Sequence, residues 1–507
     1  MGPGLHSPNV TLQFSARAET VRTENNWSIR MSDRFTRFMT ALRRSVIPLF
    51  VIALIVLVGI ALATPYINHN TVSSHVAVIE AVGGEADFYS TGPEWLRDLM
   101  LAVGLTPLES VQSVDLQKAT FDDDWLHHLS GMRGVITLNL DDTGITDEGL
   151  KHLTALTRLE SLHLADTNVS DVGLEHLHSL PELVNVDFSG TQIEGSGLKW
   201  LSGSPRIERL HLEGTPLRDE HLKHLHSLPQ LEILYLSQTP VSDEGLENLA
   251  GMPRLDGLFV SGTAVTDEGF KHLIGIPHLL SLGASGTAVT DAGLKHLVGM
   301  PQLGALDLED TAVTGEGFKY LSGREQLVEL ELSRTPFTDE GLKHLANLKW
   351  LEQLYLNNTS ITDEGLEYLS GSQKLMYLVL DNTAITDEGL KHLSGLEALE
   401  MLDLINTAIT DEGLAHLSEL PLSFLELSGT SITGDGLKHL VGSAWVSHLK
   451  LNNTSVDDAA IKHLLRLPLK TLSIVGTNFS ESGIEQLKSL GLDELVLEDD
   501  QSDASTD

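Results

Sequence analysis

A nine-residue segment that recurs about every 24 residues limits this chain to a stacked-repeat architecture. The segment reads ITDEGLKHL at 145–153 and returns in close copies at 361–369, 385–393 and 409–417. Each copy follows a run of regularly spaced leucines that ends in threonine, as in LESLHLADT at 159–167. A fixed period in the range of about 20 to 50 residues is typical of solenoids, in which each repeat packs only on its neighbours.

The leucine spacing predicts one short strand in every repeat. Pairs of the Leu-x-Leu type give seventeen predicted strands within residues 112–498. Side chains alternate between the two faces of a strand. Leu162 and Leu164 are therefore predicted to face the core, whereas Ser161 and His163 face outward.

A short helix is predicted after each strand. Thr146 is a favourable N-cap residue for such a helix. Leu150, Leu153 and Leu156 share the helical face that would pack against the strand leucines. Asp147 follows the cap, and we expect its carboxylate to interact with the positive end of its own helix dipole.

Two further positions of the repeat carry a structural prediction. Thr167 follows a strand, and we expect its buried hydroxyl to bond to a backbone group of the neighbouring repeat, which contributes about 1 kcal/mol. Gly149 lies in the first helical turn, where glycine costs about 1 kcal/mol relative to alanine. We interpret it as a site of close packing against the neighbouring repeat, because other residue types replace it in three repeats. These are Trp125, His221 and Ala460.

An uncharged apolar run at 46–63 predicts a membrane anchor. As a helix its eighteen residues span about 27 Å, close to the hydrocarbon thickness of a bilayer. Five arginines lie between Arg30 and Arg44, and no lysine or arginine follows the run until Arg97. This asymmetry places the N-terminus in the cytoplasm and the repeats outside, in the periplasm or at the cell surface. The alternative is a signal peptide cut after Ala63, which would release the repeats as a secreted protein.

These patterns divide the chain into five predicted parts. Residues 1–44 form a basic, largely disordered cytoplasmic tail, and residues 45–65 form the transmembrane helix. Residues 66–111 form a spacer and N-terminal cap, residues 112–498 the solenoid, and residues 499–507 an acidic disordered tail.

Composition excludes several kinds of partner and site. The net charge is −38, so the surface repels nucleic acid, and we expect no nucleic-acid partner. The chain has no cysteine, which excludes disulfides and thiolate metal sites.

The Thr-Asp-x-Gly-Leu-x-x-Leu pattern of residues 112–498 resembles the leucine-rich-repeat superfamily, in the variant of ribonuclease-inhibitor-like and F-box-associated repeats. The basic tail and single anchor make the whole similar to membrane-anchored bacterial leucine-rich-repeat proteins. The resemblance implies a curved α/β solenoid with parallel strands on the concave face and helices on the convex face. It also implies ligand binding on the concave face and no enzymatic activity.

Three groups of residues on the predicted concave face are candidates for ligand contact. An aromatic ledge, Tyr235 and Phe259, adjoins a predicted notch at Gly283. An apolar stripe comprises Tyr355, Tyr377, Val379, Met401 and Phe424. An acidic cluster between them comprises Asp307, Glu309, Glu329 and Glu331. Exposed aromatic residues are typical of interface hot spots, although Tyr and Phe also simply favour strands. The acidic cluster favours a basic or mixed-charge partner.

A column of histidines on the helices, such as His152, His176 and His224, does not predict a metal site. A metal needs three or four ligands converging with fixed geometry, whereas these residues recur one per repeat. We predict no metal and no cofactor. No catalytic motif occurs in a sequence context that suits it, so the chain is not predicted to be an enzyme.

The sequence therefore predicts a membrane-anchored extracytoplasmic binding module for a protein or surface ligand. The alternative is a structural envelope scaffold or spacer without a discrete ligand.

Overall fold

The computed structural model of the protein describes residues 74–91, 108–276 and 278–498. The repeats belong to the larger of two compact units, which comprises Ser73–Tyr89 and Ser110–Asp507. The predicted anchor at 45–65 and both predicted tails lie outside the described residues. Among those described, no helix combines the length and the apolar character needed to cross a bilayer.

Successive parallel strands form the sheet, as the leucine spacing predicts. From β2 to β18 each strand pairs with the next one along the chain. These are the seventeen predicted strands, and β1 pairs with β2 beside them. The strands are β1 Glu85–Thr91, β2 Leu108–Asp115, β3 Thr137–Asn139, β4 Ser161–His163, β5 Asn185–Asp187, β6 Arg209–His211, β7 Ile233–Tyr235, β8 Gly257–Phe259, β9 Ser281–Gly283, β10 Ala305–Asp307, β11 Glu329–Glu331, β12 Gln353–Tyr355, β13 Tyr377–Val379, β14 Met401–Asp403, β15 Phe424–Glu426, β16 His448–Lys450, β17 Thr471–Ser473 and β18 Glu494–Val496.

Helical segments follow the strands, some as α-helix and some as 3₁₀-helix. A 24-residue repeat leaves room for only one or two turns, and short turns readily adopt the tighter 3₁₀ form. The α-helices are 74–80, Asp147–Leu150, Asp243–Glu247, Asp267–Phe270, Asp291–Leu294, Asp339–Leu345, Asp363–Leu366, Asp387–Leu390, Ile461–Leu464 and Glu481–Lys488. The 3₁₀-helices are Asp123–Gly131, Lys151–Ala155, Gly173–Ser179, Ser196–Gly203, Asp219–Ser227, His272–Gly275, Lys295–Gly299, Glu316–Leu321, Glu367–Leu369, Lys391–Leu393, Gly413–His416, Gly436–His439 and Asp458–Ala460.

The core lies between the sheet and these helices. Leu162 and Leu164 from a strand and Leu150, Leu153 and Leu156 from a helical segment are all completely buried. Each buried leucine side chain contributes about 1.5 to 3 kcal/mol relative to its exposed state. The predicted division of leucines between core and surface is therefore confirmed.

The recurring threonine of each turn bonds within its own repeat, so the prediction of a bond between repeats is wrong. Thr167 Oγ1 donates a hydrogen bond to the Leu164 carbonyl at 2.7 Å. The reason lies one residue earlier, where Asp166 has a φ of 55°. This left-handed turn residue curls the chain so that the hydroxyl reaches the carbonyl three residues back. The same bond is made by Thr143, Thr191, Thr215, Thr239, Thr263, Thr287, Thr311, Thr335, Thr359, Thr383, Thr407, Thr430, Thr454 and Thr477.

The recurring side-chain hydrogen bond between repeats comes instead from the aspartate that follows the helix cap. Asp147 accepts bonds from the backbone amide and the hydroxyl of Ser170 in the next repeat, both at 2.7 Å. The predicted interaction of Asp147 with its own helix dipole is thus minor, because both of its carboxylate oxygens accept hydrogen bonds from Ser170 of the next repeat. We call this series the aspartate ladder. Its other members are Asp123, Asp171, Asp219, Asp243, Asp267, Asp291, Asp339, Asp363, Asp387, Asp411 and Asp458.

The ladder explains the glycine in the first helical turn. A Cβ atom at Gly149 would lie 2.6 Å from Asp123 Oδ1 of the preceding repeat, which confirms close packing as the reason for glycine. The φ of Gly149 is not in the left-handed region. Trp125 is free of this constraint because it lies in the first repeat.

The ladder is interrupted at three glycines, which lie five repeats apart along the array. Gly195, Gly315 and Gly434 occupy the aspartate position there. In the repeats after Gly195 and Gly434, the partner glycine is replaced by His221 and Ala460 respectively. Where the carboxylate is missing, a side chain from the next repeat takes the space: a Cβ atom at Gly195 would lie 2.7 Å from His221 Cβ.

After Gly315 the partner position remains glycine, at Gly341, and a larger core residue fills the space. A Cβ atom at Gly341 would lie 2.7 Å from the Phe337 ring. At Gly195 and Gly315 the φ angles are 107° and 104°. The carbonyl before each glycine then replaces the aspartate as acceptor. Arg218 N bonds to the carbonyl of Glu194 and Thr338 N to that of Thr314.

Residues 74–87 pack against the first repeat. Ile79 is completely buried. A Cβ atom at Gly84 would lie 2.5 Å from the Leu116 side chain and 2.7 Å from the Asp115 carbonyl oxygen, so glycine allows the closest approach of the two segments.

Candidate binding face of the sheet

The outward side chains of the sheet form two parallel rows, because each strand contributes its first and third residues to this side. We call this side the strand face, the first residues the leading row and the third residues the trailing row. Strand pairing in register places the trailing row in the order His211, Tyr235, Phe259, Gly283 and Asp307. It continues with Glu331, Tyr355, Val379, Asp403, Glu426 and Lys450. Every strand-face candidate predicted from the sequence except Glu309 lies in one of these two rows. Glu309 lies two residues after Asp307.

The predicted aromatic ledge is a stack of three rings. Tyr235 stacks on His211 with ring centroids 4.2 Å apart and on Phe259 with centroids 4.8 Å apart. The predicted notch at Gly283 is not open. A Cβ atom there would lie 2.7 Å from the Phe259 ring, and Gly283 is buried. Phe259 therefore covers the space that its small neighbour leaves.

The predicted acidic cluster is partly neutralised by its surroundings. Asp307 and Glu331 are register partners, and burial together with Glu309 and Asp307 raises the pKa of Glu331, although bonds from Ser333 oppose this. Glu309 pairs with Arg334 at 3.0 Å. Glu329 belongs to the leading row, on the strand next to Asp307.

The predicted apolar stripe divides between the rows. Tyr377, Met401 and Phe424 are consecutive members of the leading row and are half-buried. Tyr355 and Val379 belong to the trailing row. Val379 is only 8 % exposed, so the prediction of Val379 as a contact residue is weakened by its burial between neighbouring side chains.

Sequence reasoning missed a group of charged residues beside this stripe. Asp403, Glu426 and Lys450 follow Val379 in the trailing row, and Asp381 lies two residues beyond Val379. Lys450 Nζ lies 3.4 Å from Glu426 Oε2 and 5.4 Å from the centroid of the Phe424 ring. The sequence did contain the signal for this group, because the third residue of each strand can be aligned from one repeat to the next.

Two carboxyl groups of this set have strongly raised pKa values. Burial raises the pKa of Asp403 to about 7, with a further contribution from Asp381 and Glu426 that Lys450 partly offsets. Burial also raises the pKa of Asp381 to about 6, although a bond from the Ile405 amide opposes this. Asp403 Oδ1 is buried and has no hydrogen-bond partner among the described residues. An unpaired buried acceptor of this kind is costly and often marks a functional site.

Few of the helix histidines approach other potential metal ligands. His221 and His224 stack at 5.9 Å, and burial lowers the pKa of His224. In the described part of the chain, two groups place three potential ligand atoms within 4.8 Å of one another. One is Glu316, Glu340 and His344 on the helix side, and the other is Asp187, His211 and Glu213 on the strand face.

Burial opposes ionisation of Glu213 in the strand-face group. Hydrogen bonding involving His211, its own backbone and Ser189 outweighs that effect and lowers the pKa of Glu213.

The most exposed large apolar side chains lie away from the strand face, which the sequence analysis did not anticipate. Val172, Trp445 and Leu465 are the three most exposed of them among the described residues, at 67 %, 59 % and 54 %. Single exposed apolar residues are normal on protein surfaces, and these three lie in different repeats.

Comparison with known proteins defines the class of the chain. Five segments match the family model described as a leucine-rich repeat, at residues 135–153, 155–177, 327–346, 347–370 and 371–394. These segments make the chain similar to the leucine-rich-repeat superfamily, and its fold is the α/β solenoid that the repeat pattern predicts. A comparison of the sequence with curated proteins found no match.

Solved structures similar to this chain are distant in sequence. A leucine-rich-repeat protein of Leptospira interrogans is 18% identical with a TM-score of 0.51, over 72% of this chain and 91% of that chain. TLR13 in its complex with ssRNA13 is 20% identical with a TM-score of 0.52, over 77% of this chain and 62% of that chain. An internalin of Listeria monocytogenes is 22% identical with a TM-score of 0.47, over 61% of this chain and 83% of that chain.

Proposed function

We propose that the chain is a binding protein that recognises a protein partner through the strand face, the face predicted to be concave. We further propose that residues 46–63 anchor it as a single-pass membrane protein, with the N-terminus cytoplasmic and the repeats outside. The strand face presents an extended array of side chains, held in register by the repeat scaffold, and such a surface is suited to recognising a partner. The proposal includes no catalytic step.

The observation that carries the proposal is the pairing of an apolar row with an acidic one. Tyr377, Met401 and Phe424 run beside Asp403 and Glu426, which are register neighbours of one another. Aromatic and methionine side chains are enriched at interface cores, and complementary charge sets the orientation of a partner. A partner that presents an apolar side chain next to a cationic one fits this arrangement.

Crosslinking of the full chain in its native membrane, followed by mass spectrometry, tests the proposal. We expect a specific partner whose crosslinks map to the strand face of β12 to β15. The double variant Tyr355→Ala and Tyr377→Ala should weaken capture of that partner at least 10-fold, since central aromatic residues dominate interface energies. Unchanged capture by this variant would exclude the stripe as the contact site.

A matched control uses two aromatic residues that lie close to Tyr355 in the sequence but off the strand face. Trp350 and Tyr368 are 46 % and 36 % exposed, and Trp350→Ala with Tyr368→Ala should leave capture unchanged. Equal, small effects of both pairs would favour the second candidate function, a structural scaffold without a discrete ligand. The half-buried state of the stripe is the observation that favours that candidate.

The proposed membrane placement has its own test. Protease added to intact cells should digest the repeats and spare the arginine-rich segment 1–44. Protection of the repeats, or digestion of that segment alone, would contradict the placement. Release of the repeats into the medium without the segment would indicate cleavage after Ala63 in place of anchoring.

A further inference from the structure

Three side chains on the strand face of β5 and β6 form a metal-binding arrangement. Asp187 and His211 are register partners on neighbouring strands, and Glu213 lies two residues beyond His211. One ligand atom from each lies within 4.8 Å of the others. We propose that Asp187, His211 and Glu213 bind one divalent transition-metal ion of the zinc class. This site would act independently of the protein partner proposed above.

The carboxylates are held in place by a shared hydroxyl. Ser189 Oγ donates to Asp187 Oδ1 at 2.6 Å and lies 2.9 Å from Glu213 Oε2. The Ser189 backbone amide also bonds to Asp187 Oδ1 at 2.8 Å. Ligands that are oriented by surrounding bonds need less ordering when the ion binds.

The imidazole is fixed by stacking. The His211 ring lies nearly parallel to the Tyr235 ring, at an interplanar angle of 13° and a centroid distance of 4.2 Å. His211 Nδ1 lies 3.7 Å from Glu213 Oε2. Zinc bonds to nitrogen and oxygen are about 2.0 to 2.2 Å long, so the ligand atoms must move closer together on binding. Of the three proposed ligands, Glu213 has the longest side chain. Rotation of that side chain can shorten the distance between its Oε2 atom and His211 Nδ1.

The donor set decides the class of ion. One imidazole and two carboxylates suit zinc and neighbouring transition metals, whereas calcium and magnesium prefer oxygen ligands alone. Three protein ligands leave at least one coordination position open. All three side chains are partly exposed on the strand face, so water or a donor atom of a bound molecule would fill that position.

The other three-ligand group provides a contrast. Glu316 and Glu340 are exposed and pair with Lys319 and Lys343 at 3.5 Å and 2.7 Å. Those lysines compete with a metal ion for the carboxylates. Among the ion pairs of the described residues, none joins a lysine or arginine to Asp187 or Glu213. The strand-face group is therefore the better metal site.

Zinc titration of the chelator-treated full chain in detergent tests the proposal. Calorimetry should show one tight zinc ion per chain, followed by weaker binding to the other histidines. His211→Phe keeps a ring on Tyr235 and removes the ligand, and Glu213→Gln keeps the shape and removes the charge. Each should weaken the tight step at least 30-fold. His344→Phe, from the helix-side group, should leave that step unchanged.

The zinc titration can either support or overturn the proposed site. A tight step that persists in both strand-face variants, or its absence from the unmodified chain, would overturn the proposal. Thermal unfolding without zinc checks that each variant is folded. If His211→Phe does not fold, Glu213→Gln still tests the site. Anomalous scattering at the zinc edge from crystals should place the ion among the three side chains. Failure of the unmodified chain to capture any partner, with its zinc binding intact, would reject the proposed function alone.

Discussion

The carboxylate of Asp267 occupies the space in which a side chain at position 293 would begin. A Cβ atom at Gly293 would lie 2.6 Å from Asp267 Oδ1, a non-bonded distance that real Cβ atoms essentially never show. The same oxygen accepts a bond from Thr290 N at 2.8 Å, and Oδ2 accepts one from Thr290 Oγ1 at 2.7 Å. One aspartate therefore both joins two repeats and dictates the glycine of the second.

Loss of a ladder aspartate should destabilise the array more than loss of a neighbouring acid. Asp267→Ala removes both bonds to Thr290 and leaves its partly buried amide unpaired, which we expect to cost about 2 to 3 kcal/mol. Glu268→Ala is the control, because Glu268 is exposed and, among the described residues, forms an ion pair only with Lys271. Its loss should have a much smaller effect on stability. Urea unfolding of the full chain measures both. Equal effects would show that the ladder contributes little.

Gly293→Ala should be harmful only while Asp267 is present. In the unmodified chain the added methyl group meets the carboxylate, which we expect to cost about 2 kcal/mol. In the Asp267→Ala background the same change should be neutral or slightly stabilising, because alanine favours helix by about 1 kcal/mol over glycine. A double-mutant cycle gives the coupling energy. Gly395→Ala, where a Cβ would meet nothing within 4 Å, is the control. A coupling energy near zero would contradict the steric explanation.

Asp403 should make the protein less stable as the pH rises towards neutrality. Its pKa of about 7 in the folded state exceeds the ordinary value of an aspartate, so the folded state retains a proton that the unfolded state releases. This stabilising contribution is present below about pH 4 and is lost as the pH rises through about 7. Asp403→Asn should therefore stabilise the protein by about 2 kcal/mol at pH 8, allowing for partial exposure of the carboxylate, and the difference should vanish near pH 4.

Denaturant unfolding across pH 4 to 8, at about one-unit steps, measures this effect. Asp142→Asn, at an exposed turn, is the isosteric control for the substitution itself. A stabilisation by Asp403→Asn that is the same at every pH would rule out the titration of Asp403 as its cause.

Removal of a turn hydroxyl should have a smaller and more local effect than removal of a ladder aspartate. Thr239 Oγ1 bonds to the Leu236 carbonyl of its own repeat at 2.6 Å. Thr239→Val should cost about 1 kcal/mol and speed hydrogen exchange mainly in that repeat. Asp267→Ala should speed exchange in both repeats that it joins. Equal spread of the two effects would contradict the assignment of within-repeat and between-repeat bonds.

The sequence predicted the elements of the fold well because leucine burial repeats with a simple period. Leu162 and Leu164 predict a strand with one buried face. Leu150 and Leu153 predict a helix that covers that face. The roles of the polar residues were harder to predict. Thr167 and Asp147 both recur in most repeats, and only the left-handed φ of Asp166 decides that the threonine turns inward to its own repeat. The recurrence of Gly, Asn or Asp at that turn position was the available signal.

The candidate site was predicted in part for a related reason. Strand alternation correctly placed Tyr377 and Met401 on the outward side, because alternation depends on the chain alone. The burial of Val379, the covering of Gly283 by Phe259 and the raised pKa of Asp403 all depend on side chains one repeat away. Such effects require the register between strands as well as the pattern within each strand.

The three interruptions of the ladder also constrain how this array can change its length. A repeat from the middle of an uninterrupted stretch can be copied or lost freely, since every copy brings an aspartate for the following glycine and a glycine for the preceding aspartate. Gly195 and His221 do not share this freedom: a deletion that removed only the first would bring Asp171 against the histidine side chain. Gly195 with His221, and Gly434 with Ala460, must each be inherited together, so lineages that shorten or extend the protein should seldom do so through these two interruptions.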